Sequence, residues 1–337
     1  MRLYRVDVSP RTDWMVLRLD EAGLTGWGEC SDGGTPEAIA GRLAALARGE
    51  DPDPGSFLST TVRGAIEQAR CDLAARRAGV PLWKWLGGSD PGPVPVYANL
   101  NRVPGGREPG EVAATARAAV AAGFSRVKLA PFDVPGDRSL PELGLARVRA
   151  VRAAVGPDVE IMIDCHERLP LDDLEPVLGE LAALRPAWLE DAAGIGDLPG
   201  LRRLRALWPL RLAGGEFAAA AGEVRAAGGL LDVVMPDVKH AGGVRAALEL
   251  ARAAADGGAE VSFHNPSGPV ATAFSAHLTG VVPGVLEYMF GEADWRPGVA
   301  RPAERLRDGL LHLPDGPGAG LDLDPTHPRV TLVWSAP

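Results

Sequence analysis

The 337-residue chain has no run of 18 apolar residues, and its opening stretch "MRLYRVDVSPRTDW" contains no apolar segment of signal-peptide length. Neither a membrane partner nor a secretory leader is therefore expected. Cysteine is scarce: Cys30, Cys71 and Cys165 form no ligand spacing and no disulfide framework. That usage fits a reducing cytoplasm. Basic residues number 35 against 44 acidic ones, a net charge of −9, which argues against a nucleic-acid surface. Lysine is rare beside arginine, so each lysine is worth placing. The Gly-rich pieces "HAGG" and "AAGGL" lack the context of a phosphate loop, and no Ser–His or Cys–His pairing suggests a nucleophile. Aromatics are only 5%, while Ala and Gly are abundant, a composition suited to close helix packing. What is present in quantity is apolar residue, 46%, enough for a sizeable core in one large domain with a smaller companion.

The first 29 residues alternate through "LYRVDVS", "DWMVLRLD" and "TGWGEC", the pattern of a short antiparallel meander. Val62, Ile66, Ala69 and Leu73 fall on one helical face, and "AGVPLWKWLGG" closes that helix. After the linker-like "SDPGPVP" the chain changes character. Eight short apolar runs follow: "VPVYAN", "SRVKLA", "VEIMID", "PAWLE", "LRLAGGE", "LDVVMPD", "AEVSFHN" and "GVLEYM". Ala-rich amphipathic segments separate most of them. Near-continuous apolar strands alternating with helices indicate parallel sheet covered on its outer face, and eight of them predict a closed barrel. Beyond Arg301 the pattern fades, and a last strand-like piece, "RVTLVW", is expected to return to the N-terminal sheet.

In a barrel of this kind the C-terminal strand ends carry the chemistry. Here they carry Lys128, Asp164, Glu190, Glu216, Asp237, His264 and Glu287. Asp164, Glu190 and Glu216 are spaced 26 residues apart, one strand–helix unit, which predicts carboxylates at equal height on successive strands. Each alone could be an ordinary helix cap. Three together would repel unless a cation lay between them, and hard oxygen ligands suit Mg²⁺. In "EIMIDCHERLP" the apolar half ends abruptly in Asp164, His166, Glu167 and Arg168, groups too costly to bury unless they face a cavity or ligand.

These pieces, in this order and spacing, resemble the enolase superfamily in its mandelate racemase-like branch. "GWGE", "AIEQARCDLAARRAGVPLWKWLGG" and "LPDGPGAGLDLD" resemble its capping segments; "VKLA", "IDCHER", "WLED", "AGGE", "MPDVKHAGG" and "FHNPSGPVA" resemble its strand-end motifs. The resemblance implies an α/β fold, a modified (β/α)7β TIM barrel with an N-terminal α+β cap. Residues 1–92 would form the cap, 93–303 the barrel, and 304–337 a segment returning to the cap. It also implies one Mg²⁺ per site, held by Asp164, Glu190 and Glu216, an Asp237–His264 dyad, and Glu287 as the acidic residue of the last strand. The substrate would be a small carboxylate, and a homo-oligomer is expected from the resemblance alone. The reaction begins with abstraction of a proton next to that carboxylate. Such a proton is weakly acidic, so a cation and nearby donors must stabilise the charge its removal creates. An imidazole oriented by Asp237 suits the base, and Glu287 could donate a hydrogen bond if its pKa were raised.

Two departures shape the reading. Where the branch often carries Lys-x-Lys, this chain has Lys128 followed by Ala130, which removes a second base and weakens a two-base racemase. Lys128 is left to neutralise the substrate carboxylate. Asp-x-His-x-Arg at Asp164, His166 and Arg168 resembles the acid-sugar dehydratases of the superfamily, galactonate and mannonate dehydratases among them, where the His protonates the leaving β-hydroxyl. With the backbone extended, His166 would point the same way as Asp164. The expected activity is thus a Mg²⁺-dependent lyase in which His264 removes the α-proton and His166 helps expel the β-hydroxyl, giving a 2-keto-3-deoxy acid. Asn99, Asn101 and Arg168 are expected to touch the substrate, and the Asp20–Thr35 segment to reach over the mouth. A racemase, epimerase or cycloisomerase of the same superfamily is the alternative, and a non-catalytic carboxylate-binding barrel the second.

Overall fold

The computed structural model describes residues 1–133 and 141–336. The meander forms as expected: β1 (Arg2–Ser9), β2 (Thr12–Glu21) and β3 (Leu24–Glu29) pair antiparallel in that order. Their inner face carries Leu3, Met15 and Leu17, which pack with Ile39 and Leu43 of the helix Pro36–Ala47 and with Val62 and Ala65 of the helix Phe57–Arg77. Gly28 of "GWGE" lets the strand lie against that longer helix; a Cβ there would overlap the Ala65 carbonyl. The helix Phe57–Arg77 starts where Ser56 Oγ accepts the Ser59 N–H.

The barrel strands are β4 (Val94–Asn99), β5 (Arg126–Leu129), β6 (Glu160–Asp164), β7 (Trp188–Glu190), β8 (Leu212–Gly214), β9 (Val233–Val234), β10 (Glu260–Phe263) and β11 (Val285–Met289). Neighbours pair in parallel, and β11 pairs with β4 to close the ring. Seven helices join the eight strands among the described residues, from Pro109–Ala121 to Pro269–Leu278. Strand residues alternate between the barrel interior and the helix layer. Tyr97, Met162, Trp188, Ala213, Val233 and Met235 fill the interior, with Tyr97 and Trp188 edge to face at 5.7 Å. Their neighbours Ala98, Ile161, Ile163, Leu189 and Val234 join the larger core under the helices. Burying each Val, Leu or Ile side chain contributes about 1.5–3 kcal/mol, so this layer supplies much of the driving force for closure.

The last part of the chain adds β12 (Ala300–Arg301), β13 (Arg305–Arg307), β14 (Leu310–His312), β15 (Asp322–Leu323) and β16 (Val330–Ser335). β13 and β14 form a hairpin against the start of β4, whereas β16 pairs antiparallel with β1. The N-terminal sheet is fastened to the barrel by Glu29, whose carboxylate accepts the N–H groups of Gly268 and Ala271 at the start of the helix Pro269–Leu278. No helix among the described residues is long and apolar enough to cross a membrane.

Candidate active site

The interior residues and the site residues are linked by the two-residue period of the strand. Two positions beyond Tyr97, Met162, Trp188, Met235, Ser262 and Val285 stand Asn99, Asp164, Glu190, Asp237, His264 and Glu287. Where the apolar plug ends, the next inward residue is polar, and all six are buried. A cavity of about 220 Å³ opens above them, lined by Asp32, Asn99, Asn101, Arg102, Asp164, His166, Glu216, Phe217, His240, His264, Pro266 and Met289. Glu190, Asp237, Glu287 and Lys128 lie outside this lining and are buried.

The even spacing of the three carboxylates translates only in part. Asp164 pairs directly with Glu190 across β6 and β7. Glu190, however, is level with Ala213, so Glu216 stands three residues beyond that height. Gly215, at φ +101°, provides the left-handed step that carries the chain there. Asp191, at φ +42°, enters the group instead: donor atoms of Glu190, Asp191 and Glu216 lie within 4.8 Å of one another.

Lys128 turns toward carboxylates of the protein itself. Its Nζ lies 2.6 Å from Glu190 Oε1, to which it donates, 2.7 Å from Glu287 Oε1 and 3.1 Å from Asp164 Oδ2. Burial would push its pKa down, but those carboxylates outweigh it and hold the ammonium well above its usual range. One lysine does not satisfy the group. Burial and the charge of Asp164 push Glu190 up, and burial and the charge of Glu216 push Asp191 up. Asp164 Oδ2 and Glu216 Oε2 are buried and accept no well-aimed hydrogen bond among the described residues, although cationic nitrogens lie near both. Surplus negative charge on converging hard oxygens is a donor set that a Mg²⁺-like cation fits.

His264 sits at the other side of the rim. Its Nδ1 is 2.8 Å from Asp237 Oδ2 and its Nε2 is 2.8 Å from Glu216 Oε2. Asp237 is fixed through Oδ1 by the N–H groups of Lys239 and His240, and Lys239 Nζ lies 2.6 Å from Oδ2. Burial alone would raise the Asp237 pKa; His240, Lys239 and His264 hold it well below the usual range. Burial would lower the His264 pKa, but Glu216 and then Glu287 raise it well above. A cation among these carboxylates would change that balance, since a bound ion is the largest local charge.

His166 lines the cavity by a different route from the one expected. The backbone is not extended there: His166 and Glu167 are left-handed, at φ +48° and +50°. The turn brings Nε2 within 3.0 Å of Asp164 Oδ2, and Asp133 Oδ2 sits 2.9 Å from Nδ1. Burial would lower its pKa, but Asp164 and Asp133 raise it to about 11, so the ring keeps a proton. Arg168 does not reach the cavity. Its Nε donates to Asp133 Oδ1 at 2.9 Å and its side chain is 60% exposed, so it braces the partner of His166. Arg102 occupies the mouth instead, donating to Pro266 O and to Asp32 Oδ1. Asn99 and Asn101 both line the cavity, though much of their bonding is internal: Asn99 Nδ2 donates to Glu287 Oε1 at 2.5 Å, and Asn101 Oδ1 accepts the Ala130 N–H at 2.6 Å. Glu287 is buried between Lys128 and His264. Burial would raise its pKa, but Lys128 and His264 lower it. From the Asp20–Thr35 segment, Asp32 reaches the cavity.

Residues 111–327 match the family model described as Enolase C-terminal domain-like. A D-gluconate dehydratase of Thermoproteus tenax is 35% identical over 79% of this chain, a match that spans 55% of that relative's length. A D-galactonate dehydratase of Ralstonia nicotianae is 29% identical, covering 96% of this chain and 91% of the relative. Among solved structures, a mandelate racemase/muconate lactonizing enzyme-like protein from Rubrobacter xylanophilus superposes with a TM-score of 0.84 at 28% identity, over 96% of this chain and 93% of the other.

Proposed function

The chain belongs to the Enolase C-terminal domain-like family of the enolase superfamily, and from that premise we propose that it is a Mg²⁺-dependent dehydratase of an acid sugar, in a soluble cytoplasmic setting. The observation that carries the reading is that two of the three imidazoles lining one cavity are each oriented by an aspartate: His264 by Asp237 and His166 by Asp133. Relatives with 35% and 29% identity carry the names of gluconate and galactonate dehydratases, which supports the substrate class.

In this reading Asp164, Glu190 and Glu216 would hold Mg²⁺, with Asp191 converging on Glu190 and Glu216 and Asp164 level with Glu190. When bound, the ion would stabilise the negative charge that develops on the substrate carboxylate. His264 takes the α-proton at one ring nitrogen while Asp237 fixes the ring. His166 delivers its proton to the β-hydroxyl, because hydroxide leaves poorly without one. Lys128 and Glu287 act as positioning groups: Lys128 ties Asp164, Glu190 and Glu287 together, and Glu287 anchors Asn99 and the Asn265 N–H. Asn99, Asn101 and Arg102 face the polyol chain from the mouth. Ala130, where a second lysine would be needed, disfavours a two-base isomerase.

The test is a panel of acid sugars with Mg²⁺, read as keto-acid formation and as α-proton exchange with solvent deuterium. His264→Asn should lose both by about 10²–10⁴-fold, whereas His166→Asn should lose dehydration and retain exchange. Exchange without keto acid in the wild type would point to an epimerase. Absence of both across the panel would contradict the reading.

A further inference from the structure

We propose that Asp237, His240 and His264 form a second cation site, different in ligand chemistry from the carboxylate set, which takes a borderline transition ion such as Zn²⁺ and so removes His264 from proton abstraction. The inhibitory consequence rests on the function proposed above; the binding does not.

Ligand atoms of the three buried side chains lie within 4.8 Å of one another. His240 is the informative member. Its Nδ1 is 3.1 Å from the Glu216 carbonyl oxygen, which can only accept, so Nδ1 carries the hydrogen and the lone pair of the neutral ring is on Nε2. That Nε2 is buried and has no hydrogen-bond partner among the described residues. Its neighbour Asp237 Oδ2, 3.7 Å away, is itself an acceptor. Oδ2 already holds the Lys239 ammonium and His264 Nδ1, so it is the His240 lone pair that is left without a partner, and an ion joining the two must displace the ammonium. The ring cannot easily turn aside, because Phe217 stacks on it at 5.1 Å and Phe57 packs at 5.0 Å. A backbone carbonyl on the far nitrogen is the support that orients metal-binding imidazoles.

The two sets divide ions by chemistry. Glu190, Asp191 and Glu216 offer oxygen alone and suit Mg²⁺, whereas two imidazoles and a carboxylate favour later first-row ions. Lys239, with Nζ 2.6 Å from Asp237 Oδ2, is the resident competitor. Binding at Nδ1 moves the hydrogen of the neutral His264 ring to Nε2, which removes the lone pair the base would use, and displaces the Lys239 ammonium from Oδ2.

The test titrates Zn²⁺ into the full chain at saturating Mg²⁺ by calorimetry, with the visible spectrum of Co²⁺ reporting nitrogen ligation. One Zn²⁺ per chain should bind in addition to Mg²⁺, with an affinity unchanged by a further ten-fold rise in Mg²⁺. His240→Asn should weaken it by at least about ten-fold, and Lys239→Met should tighten it. Turnover of the wild type should fall with Zn²⁺ and not recover with Mg²⁺. Zn²⁺ that competes with Mg²⁺, equal affinity in His240→Asn, or no binding at all would overturn the proposal. If the wild type acts on no acid sugar, the binding results still decide this site, and only the function proposed above fails.

Discussion

From β5 to β8, the buried carboxylates Asp164, Glu190, Asp191 and Glu216 crowd together; Lys128 reaches Asp164 and Glu190 and also serves Glu287, His166 lies by Asp164, and His264 by Glu216. From β9 to β10, the single carboxylate of Asp237 has Lys239, His264 and two backbone N–H groups. The first side carries more negative charge than its partners offset; the second is over-supplied with donors. The difference teaches that the rim is graded. One half presents crowded carboxylate oxygens alone, and the other fixes an imidazole next to them.

Removing each lysine breaks the comparison most sharply. Lys128→Met leaves Asp164, Glu190 and Glu287 without their shared cation and should cost about 3–5 kcal/mol in Mg²⁺-free buffer, part of which Mg²⁺ restores. Lys239→Met should also destabilise the fold, since it leaves Asp237 less compensated, but Mg²⁺ should not restore it. Chemical denaturation with and without Mg²⁺ measures both. An equal response of the two variants to Mg²⁺ would remove the distinction between the halves.

A buried imidazole outside both halves sharpens the contrast, because no carboxylate among the described residues balances it. His277, in the helix Pro269–Leu278, accepts the Trp83 N–H at Nδ1. Burial lowers its pKa to about 4, with a smaller opposing effect from the Ala319 backbone. The folded state therefore keeps it neutral while the unfolded chain protonates near pH 6.5. Its contribution is present above pH 6.5 and is lost as pH falls towards 4, by about 3 kcal/mol. Denaturation between pH 7 and 4 should show this loss, and His277→Gln should flatten that part of the curve. An unchanged slope would place the dependence elsewhere.

Much of the barrel and its polar rim was legible because a strand has a strict period. Apolar runs marked all eight strands, and the inward alternation that buries Met162 and Trp188 brings Asp164 and Glu190 to the rim. The loops were less readable, since a left-handed residue reverses direction without any signal in polarity. His166, Asp191 and Asp32, at φ +48°, +42° and +69°, all owe their positions to such turns. The adjacent acids in "WLED" were the available hint for Asp191. Arg102 closes the polar "YANLNR" segment at the first strand end, and nothing in the pattern ranks it above Arg168. Lys128 was placed on the correct strand end, but its partners could be seen only once β5, β6, β7 and β11 were side by side.

The central claim is that three neighbouring strand ends hold one divalent cation. Calorimetric titration of Mg²⁺ into the wild type and Glu216→Gln tests it most directly. One ion per chain should bind the wild type, stabilising the fold by about 2.7 kcal/mol at a hundred-fold excess over Kd, and Glu216→Gln should lose that binding. A folded wild type that ignores millimolar Mg²⁺, or a Glu216→Gln variant that binds it equally well, would contradict the account.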